Sequence, residues 1–189
     1  DGIPGKDVQL TIDSRLQQKA FELFGEESGA AVLLDVHTGE ILAFVSAPSF
    51  DPNMMTQGLS TEDWNALLHN ERNPLTDKAI SGQYSPGSTF KMIVALAALE
   101  AGVIKPETRT YCAGKMFLGN HAFHCWKKEG HGHLNVVEAL QHSCDIFFYE
   151  TAQKLGIEKI ADMARRFGLG SKINIGLENE KAGLILSLI

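Results

Sequence analysis

The chain has 189 residues, of which 44% are hydrophobic and 21% are charged, and its net charge is −6 at pH 7. This composition is typical of one globular domain, and an acidic chain without a dense Lys/Arg run argues against nucleic acid as a partner. No apolar run reaches the roughly 18 residues that a membrane span needs. Residues 1–7 lack the features of a signal peptide.

The first part of the chain predicts strands and short helices. Val8–Ile12 alternates polar and apolar residues, as a half-buried strand does. Asp13 and Ser14 offer an N-cap for a helix that continues to about Phe24. Residues 30–36 and 40–47 predict a β-hairpin with a glycine in its turn.

A proline-containing loop is predicted at residues 49–53. Ser60–Asp63 then resembles a capping box that opens a helix through about His69. After a loop rich in Gly, Ser and Pro, residues 88–101 predict a buried helix that ends at Gly102.

Residues 105–134 show no period, and an irregular segment of this length needs an internal tie. Three short helices are predicted after it, at 135–142, 145–155 and 157–167.

Ser88 and Lys91 are the first candidate catalytic residues. A serine hydroxyl is a poor nucleophile until a base takes its proton, and residues three apart share one face of a helix. Burial in the apolar helix would favour a neutral lysine amine that acts as this base. Free backbone N–H groups at the helix start would stabilise an oxyanion. The competing interpretation is an N-cap serine followed by a surface lysine, but a lysine in the first turn of an apolar helix favours catalysis.

Ser143 and Asp145 are the second candidate pair, at another helix junction. A second serine near the first could relay its proton. Taken alone, these two residues are better explained as caps of the helix that follows.

Several segments carry a resemblance to a known family. Tyr84–Lys91 resembles the active-serine motif of class B penicillin-binding proteins. Ser143-Cys144-Asp145 resembles their second motif, in the Ser-x-Asp form of the rod-shape elongation transpeptidases. The similarity extends over nearly the whole chain, through residues 8–13, 31–47, 48–53 and 126–132.

The resemblance implies an α+β fold of the penicillin-binding and serine β-lactamase type, with an antiparallel sheet flanked by helices and the Ser88 helix at its centre. It implies that Ser88 forms an acyl-enzyme with a peptidoglycan stem peptide ending in D-Ala-D-Ala, and that β-lactam antibiotics trap the same serine. Lys91 would be the base and Ser143 the proton shuttle. Asp145, where many relatives have Asn, would orient the lysine and the substrate. This chemistry would need no cofactor.

The resemblance also implies a location and a boundary. The domain would work at the periplasmic face of the bacterial inner membrane, held by an upstream anchor, with cell-elongation membrane proteins as partners. The family's third motif, Lys-Thr-Gly or Lys-Ser-Gly, is missing, since Lys181-Ala182-Gly183 lacks the hydroxyl and comes too early. Residues 1–189 are therefore expected to be one transpeptidase domain truncated before that motif.

The three cysteines are clustered, and with one histidine they predict a metal site. Cys112, Cys125, His131 and Cys144 offer the soft ligands of a closed tetrahedral zinc site, which would tie the irregular segment together. His131 is the preferred histidine because glycines flank it, with His124 and His133 as substitutes. Two alternatives remain open. Two of the cysteines could form a disulfide and leave one spare thiol, or all three could be inert buried thiols.

Three further alternatives remain open. The scaffold could belong to a serine β-lactamase or a β-lactam sensor. Turnover would distinguish them, because a hydrolase deacylates quickly and a transpeptidase stays acylated. It could also be a zinc-stabilised scaffold without catalysis, in which Ser88→Ala changes nothing. Trp126, beside Lys127 and Lys128, predicts a core tryptophan next to surface lysines, or else a contact with a polymer substrate.

Overall fold

The computed structural model describes residue 3 and residues 5–187. The chain divides into two compact units. The first contains the described residues up to Gln83 together with Gly176–Lys181, and the second contains Tyr84–Ile175 together with residues 182–187. Within these described ranges, no helix is long and apolar enough to cross a bilayer.

Among the described residues the strands pair only antiparallel, in agreement with the predicted class. β1 (Gly29–Leu34) and β2 (Ile41–Ala47) form the predicted hairpin of the first unit. Ala43, Val45 and Ala47 are buried at alternate positions of β2, because successive side chains of a strand point to opposite faces. In the described part of the chain, three separate two-stranded sheets stand in place of the single sheet expected from the sequence.

Two helices of the first unit begin at their predicted caps. α1 (Ser14–Phe24) follows Asp13, whose carboxylate accepts hydrogen bonds from the backbone N–H groups of the first helical turn. Ser60 Oγ accepts from Asp63 N at 3.0 Å and opens a second helix, Thr61–Leu68. Both caps satisfy N–H groups that have no partner within the helix.

Two local predictions in this unit are wrong. Val8–Ile12 is not a strand, because the segment meets β2 through isolated bonds rather than a ladder: Thr11 Oγ1 donates to Ile41 O at 2.6 Å. Residues 49–53 are not entirely loop, because a short helix begins at Pro52. This helix, α2 (Pro52–Gln57), has Asp51 as its cap and proline at its first position. The helix Thr61–Leu68 that follows it is α3.

Helices form the core of the second unit. A 3₁₀ turn, Gly87–Phe90, leads into α4 (Lys91–Glu100), which packs against α6 (Asp145–Leu155) and α7 (Ile157–Arg166). α5 (Val136–Gln141) begins at Asn135 with a complete capping box. The three helices predicted after residue 134 are therefore confirmed. Phe147 and Ile146, on α6, are the largest fully buried side chains among the described residues.

The segment predicted to be irregular contains four short strands. β3 (Thr110–Cys112) pairs with β6 (Gly132–Leu134), and β4 (Lys115–Leu118) pairs with β5 (His121–His124). Strands of three or four residues are too short for alternation to show in the sequence. The pairing of β3 with β6 brings Cys112 next to the part of the chain that carries His131.

Gly114 and Gly130 make the close approach between these segments possible. Gly114 has φ +85°, and a Cβ there would lie 1.9 Å from Lys128 O. At Gly130, with φ +79°, a Cβ would lie 2.2 Å from Cys112 O. Backbone atoms so close to the missing Cβ positions leave room for no residue but glycine.

We predict that Gly114→Ala lowers the free energy of unfolding by about 2–4 kcal/mol, since left-handed strain and overpacking each cost about 1–3 kcal/mol. Gly119→Ala is the matched control, because Gly119 has φ +58° but nothing within 4 Å of its Cβ position. The control should lose only the strain contribution. Denaturant unfolding of the two variants measures the difference, and equal losses would contradict the close contact.

Candidate active site

Ser88 lies in the 3₁₀ turn that precedes α4, and not in α4 itself. The sequence predicts one helix from residue 88, whereas α4 begins at Lys91. Gly87, with φ +54°, forms the turn that presents the serine. Thr89 N donates to Pro86 O at 3.3 Å, so it is not one of the free N–H groups expected at this turn.

Lys91 contacts the second candidate pair. Its Nζ lies 2.6 Å from Asp145 Oδ1, 3.0 Å from Ser143 Oγ and 2.8 Å from Ser143 O. Only 12% of the Lys91 side chain is exposed. The carboxylate of Asp145 meets the amine, as the resemblance implies, in addition to the burial expected from the apolar helix.

Ser143 stands between Ser88 and Lys91. Ser143 Oγ donates to Ser88 Oγ at 2.9 Å and accepts from Lys91 Nζ. A continuous path of hydrogen bonds therefore runs from Ser88 through Ser143 to Lys91 and on to Asp145. The four residues predicted from the sequence are brought together, with Ser143 as the direct neighbour of the candidate nucleophile.

Ser143 adopts a conformation that is unusual for its residue type. Its φ is +49°, in the left-handed region that serine seldom occupies. The residue joins the end of α5 to the start of α6, and Cys144 N donates to Ala139 O at 2.9 Å across this junction. Strain of this kind persists only where surrounding contacts hold it, and it is concentrated at functional sites.

The sequence did not place Trp126 among the active-site residues. Its backbone N donates to Asp145 Oδ2 at 3.0 Å, and its indole Nε1 donates to His142 O at 3.0 Å. The prediction of a core tryptophan is wrong, because Trp126 is 64% exposed. No pattern in the sequence could reveal this role, since one of the two bonds is made by the main chain.

The four predicted metal ligands also lie together. The ligand atoms of Cys112, Cys125, His131 and Cys144 are all within 4.8 Å of one another, and the three cysteines are buried free thiols. His131 Nδ1 lies 3.5 Å from Cys125 Sγ and 3.7 Å from Cys112 Sγ. The substitute ligands, His124 and His133, are exposed and lie outside this group.

The geometry of the cluster fits a tetrahedral zinc ion. Zinc–sulfur bonds of about 2.3 Å and zinc–nitrogen bonds of about 2.0 Å place neighbouring ligand atoms about 3.5–3.8 Å apart. The two sulfur–nitrogen distances in the structure lie in this range. His131 Nδ1 is the ring nitrogen that faces the sulfurs, so it is the atom that would bind the ion.

Burial affects the titration of the cluster. It lowers the pKa of His131, helped by the nearby Lys127 and His142, and so favours the neutral ring that a metal requires. It raises the pKa of Cys144 to about 12. Burial also acts to raise the pKa of Cys125, but backbone N–H groups, including that of Asp145, outweigh it and lower the pKa overall.

Comparisons with known proteins agree on one family. The family model described as "Penicillin binding protein transpeptidase domain" matches residues 29–187. "Peptidoglycan D,D-transpeptidase MrdA" of Escherichia coli K12 is 41% identical over 181 residues, which is 95% of this chain and 29% of that protein. The chain thus spans less than a third of the relative's length.

Solved structures of penicillin-binding proteins are similar to this chain in both fold and sequence. The PBP2 of Pseudomonas aeruginosa superposes with a TM-score of 0.91 at 40% identity, covering 98% of this chain and 42% of that one. PBP2 of Helicobacter pylori, solved in complex with MreC, gives a TM-score of 0.87 at 35% identity, with 92% and 32% covered. The imipenem acyl-enzyme of penicillin-binding protein A from Mycobacterium tuberculosis gives 0.77 at 34% identity, with 86% and 40% covered. The expected fold is confirmed.

Proposed function

Since the chain belongs to the penicillin-binding protein transpeptidase domain family, we propose that it carries the acylating centre of a peptidoglycan D,D-transpeptidase. The observation that supports this function best is the hydrogen-bonded path from Ser88 through Ser143 to the Lys91–Asp145 pair. A nucleophile, a base and a group that orients the base are the parts that serine acyl transfer needs.

In the proposed reaction, Ser88 Oγ attacks the carbonyl carbon between the two D-Ala residues of a stem peptide. The Ser88 proton passes through Ser143 Oγ to the unprotonated amine of Lys91. Ser143 then returns a proton to the amine of the departing D-Ala, and an ester between Ser88 and the peptide remains. An amine from a neighbouring strand attacks this ester, forms the cross-link and frees the serine. β-Lactams would acylate Ser88 in the same way, with the proton returned to the ring nitrogen, and the reaction would stop at the ester.

Asp145 has a distinct part in this scheme. The 2.6 Å contact between Lys91 Nζ and Asp145 Oδ1 holds the amine where it also meets Ser143 Oγ. The other carboxylate oxygen accepts from Trp126 N, which fixes the plane of the group. Asp145 thereby orients the lysine, as the resemblance implies.

We also propose that Cys112, Cys125, His131 and Cys144 hold a structural zinc ion. The support is the short distances among the ligand atoms, including those from His131 Nδ1 to two of the cysteine sulfurs. Bound zinc would supply cross-linking of the segments that carry β3, β5 and β6, in place of a larger core. Cys144 lies between Ser143 and Asp145 in the chain, so this tie would reach the catalytic residues.

We propose further that the domain acts outside the cytoplasm, at the periplasmic face of the inner membrane, as part of the cell-elongation machinery. The support is similarity to MrdA of Escherichia coli and to the Helicobacter pylori PBP2 that was solved with MreC. Peptidoglycan stem peptides and β-lactams would be its small partners. The imipenem acyl-enzyme of the Mycobacterium tuberculosis protein supports β-lactams as partners.

Intact-mass spectrometry after incubation with benzylpenicillin tests the function. We expect the chain to gain the mass of one β-lactam and to keep it, whereas Ser88→Ala gains none. An adduct that disappears quickly would instead indicate a β-lactamase.

If no adduct forms, either Ser88 is not the nucleophile or the missing third motif is needed, and a fusion protein distinguishes the two. The chain is fused at its C-terminus to the remainder of the transpeptidase domain of the Escherichia coli relative. If the fusion is also inert, Ser88 is not the nucleophile and a non-catalytic scaffold is favoured. If only the fusion reacts, the third motif is required for acylation.

A further inference from the structure

Trp126 makes two hydrogen bonds that reach both sides of Ser143. The indole Nε1 donates to the carbonyl of His142, the residue before Ser143. The backbone N donates to the carboxylate of Asp145, two residues after it. Both donor–acceptor distances are 3.0 Å, so one residue spans the turn that carries a candidate catalytic serine.

The turn needs such contacts because it is strained. Ser143 has φ +49°, a conformation that costs a residue with a Cβ free energy unless its surroundings impose it. If the turn relaxed, Ser143 Oγ would move away from Ser88 Oγ, which lies 2.9 Å from it. The effect would fall on the proton path and not on the core.

The position of Trp126 is itself well determined. It follows Cys125, whose backbone N donates to Gly114 O at 2.8 Å. The backbone N of Trp126 itself is held by the carboxylate of Asp145. The ring of His131 also packs edge-on against the indole, with centroids 5.3 Å apart.

Packing does not explain the indole. Trp126 is 64% exposed, so most of its apolar surface gains nothing from burial. The indole N–H donates to His142 O, and a side chain chosen only to cover surface would not require an N–H group. We propose that Trp126 is a positioning residue that braces the Ser143 turn and keeps Ser143 and Asp145 aligned with Ser88 and Lys91.

This inference rests on the proposed acyl transfer, and Trp126→Phe tests it because Phe keeps an aromatic ring and removes only the indole N–H. Trp64→Phe is the matched control, since Trp64 is the only other tryptophan of the chain and is also exposed. The benzylpenicillin acylation rate is measured as a function of drug concentration. Trp126→Phe should lower the limiting rate about tenfold or more, as small misplacements of reacting groups do, without changing the half-saturating concentration.

A second measurement does not depend on acylation. Hydrogen–deuterium exchange of the peptide covering residues 142–146 should be several-fold faster in Trp126→Phe than in Trp64→Phe, because the turn loses its brace. If no protein in the set is acylated, the fusion protein decides the proposed function, and the exchange rates alone decide whether Trp126 braces the turn. Unchanged exchange would overturn the inference. So would a loss of rate accompanied by a lower melting temperature or a lower metal content, which would show a general structural role.

Discussion

Lys91→Met should lower the rate of acylation by benzylpenicillin by about 10³-fold, within the 10²–10⁴-fold that a positioned acid or base contributes. Met preserves the length and apolar stem of the side chain but removes the amine that meets Ser143 Oγ at 3.0 Å. Ser88 would then have no base at the end of its hydrogen-bonded path. Stopped-flow or quenched intact-mass kinetics, at saturating antibiotic, measures the limiting rate.

The same substitution should also destabilise the fold, which a second variant separates from catalysis. Removing Lys91 leaves Asp145 with a side chain only 22% exposed and without its cation, at a cost of about 2–3 kcal/mol, somewhat below that of a fully buried pair. In Lys91→Met/Asp145→Asn the neutral amide no longer needs a cation. We expect the double variant to recover most of the stability but none of the acylation. Recovery of both would show that Lys91 acts only through folding.

The structure brings the four candidate catalytic residues together, as expected from the sequence, whereas several predictions of the local backbone are wrong. A serine and a lysine three residues apart, beside an otherwise apolar helix, predict proximity from helix geometry alone. The approach of Ser143 depended on resemblance, because nothing between residues 88 and 143 specifies how the chain returns. The helices after Asn135 were predictable since the Asn135 cap and the glycine stops are local signals.

Other features could not be read from the sequence because they arise from contacts between distant segments. The short strands β3–β6 leave no periodic pattern, and Val8–Ile12 alternates without forming a ladder. The positive φ of Ser143 has no sequence signal, since the residue is not glycine. Trp126 reaches Asp145 through its main chain, which every residue type but proline shares. Tertiary pairing determines these features, and local propensity does not.

The zinc proposal leads to a prediction with a large effect on stability. Protein purified without added metal or chelator should contain one zinc ion per chain, and its removal should lower the melting temperature by about 10 °C. At a free zinc concentration of about 1,000 times Kd, binding contributes about 4 kcal/mol. In a chain of this size each kcal/mol corresponds to about 2–4 °C.

Matched histidine variants make this test specific. His131→Ala should lose the zinc and the stability, whereas His133→Ala, two residues away and exposed, should lose neither. Zinc content is measured by atomic emission and stability by thermal unfolding with and without chelator. Because burial raises the pKa of Cys144 to about 12, binding must displace a proton from this thiol, and zinc should therefore be lost more readily as the pH falls. A protein free of zinc, or one in which both variants behave alike, would mean that the three cysteines serve only as buried thiols.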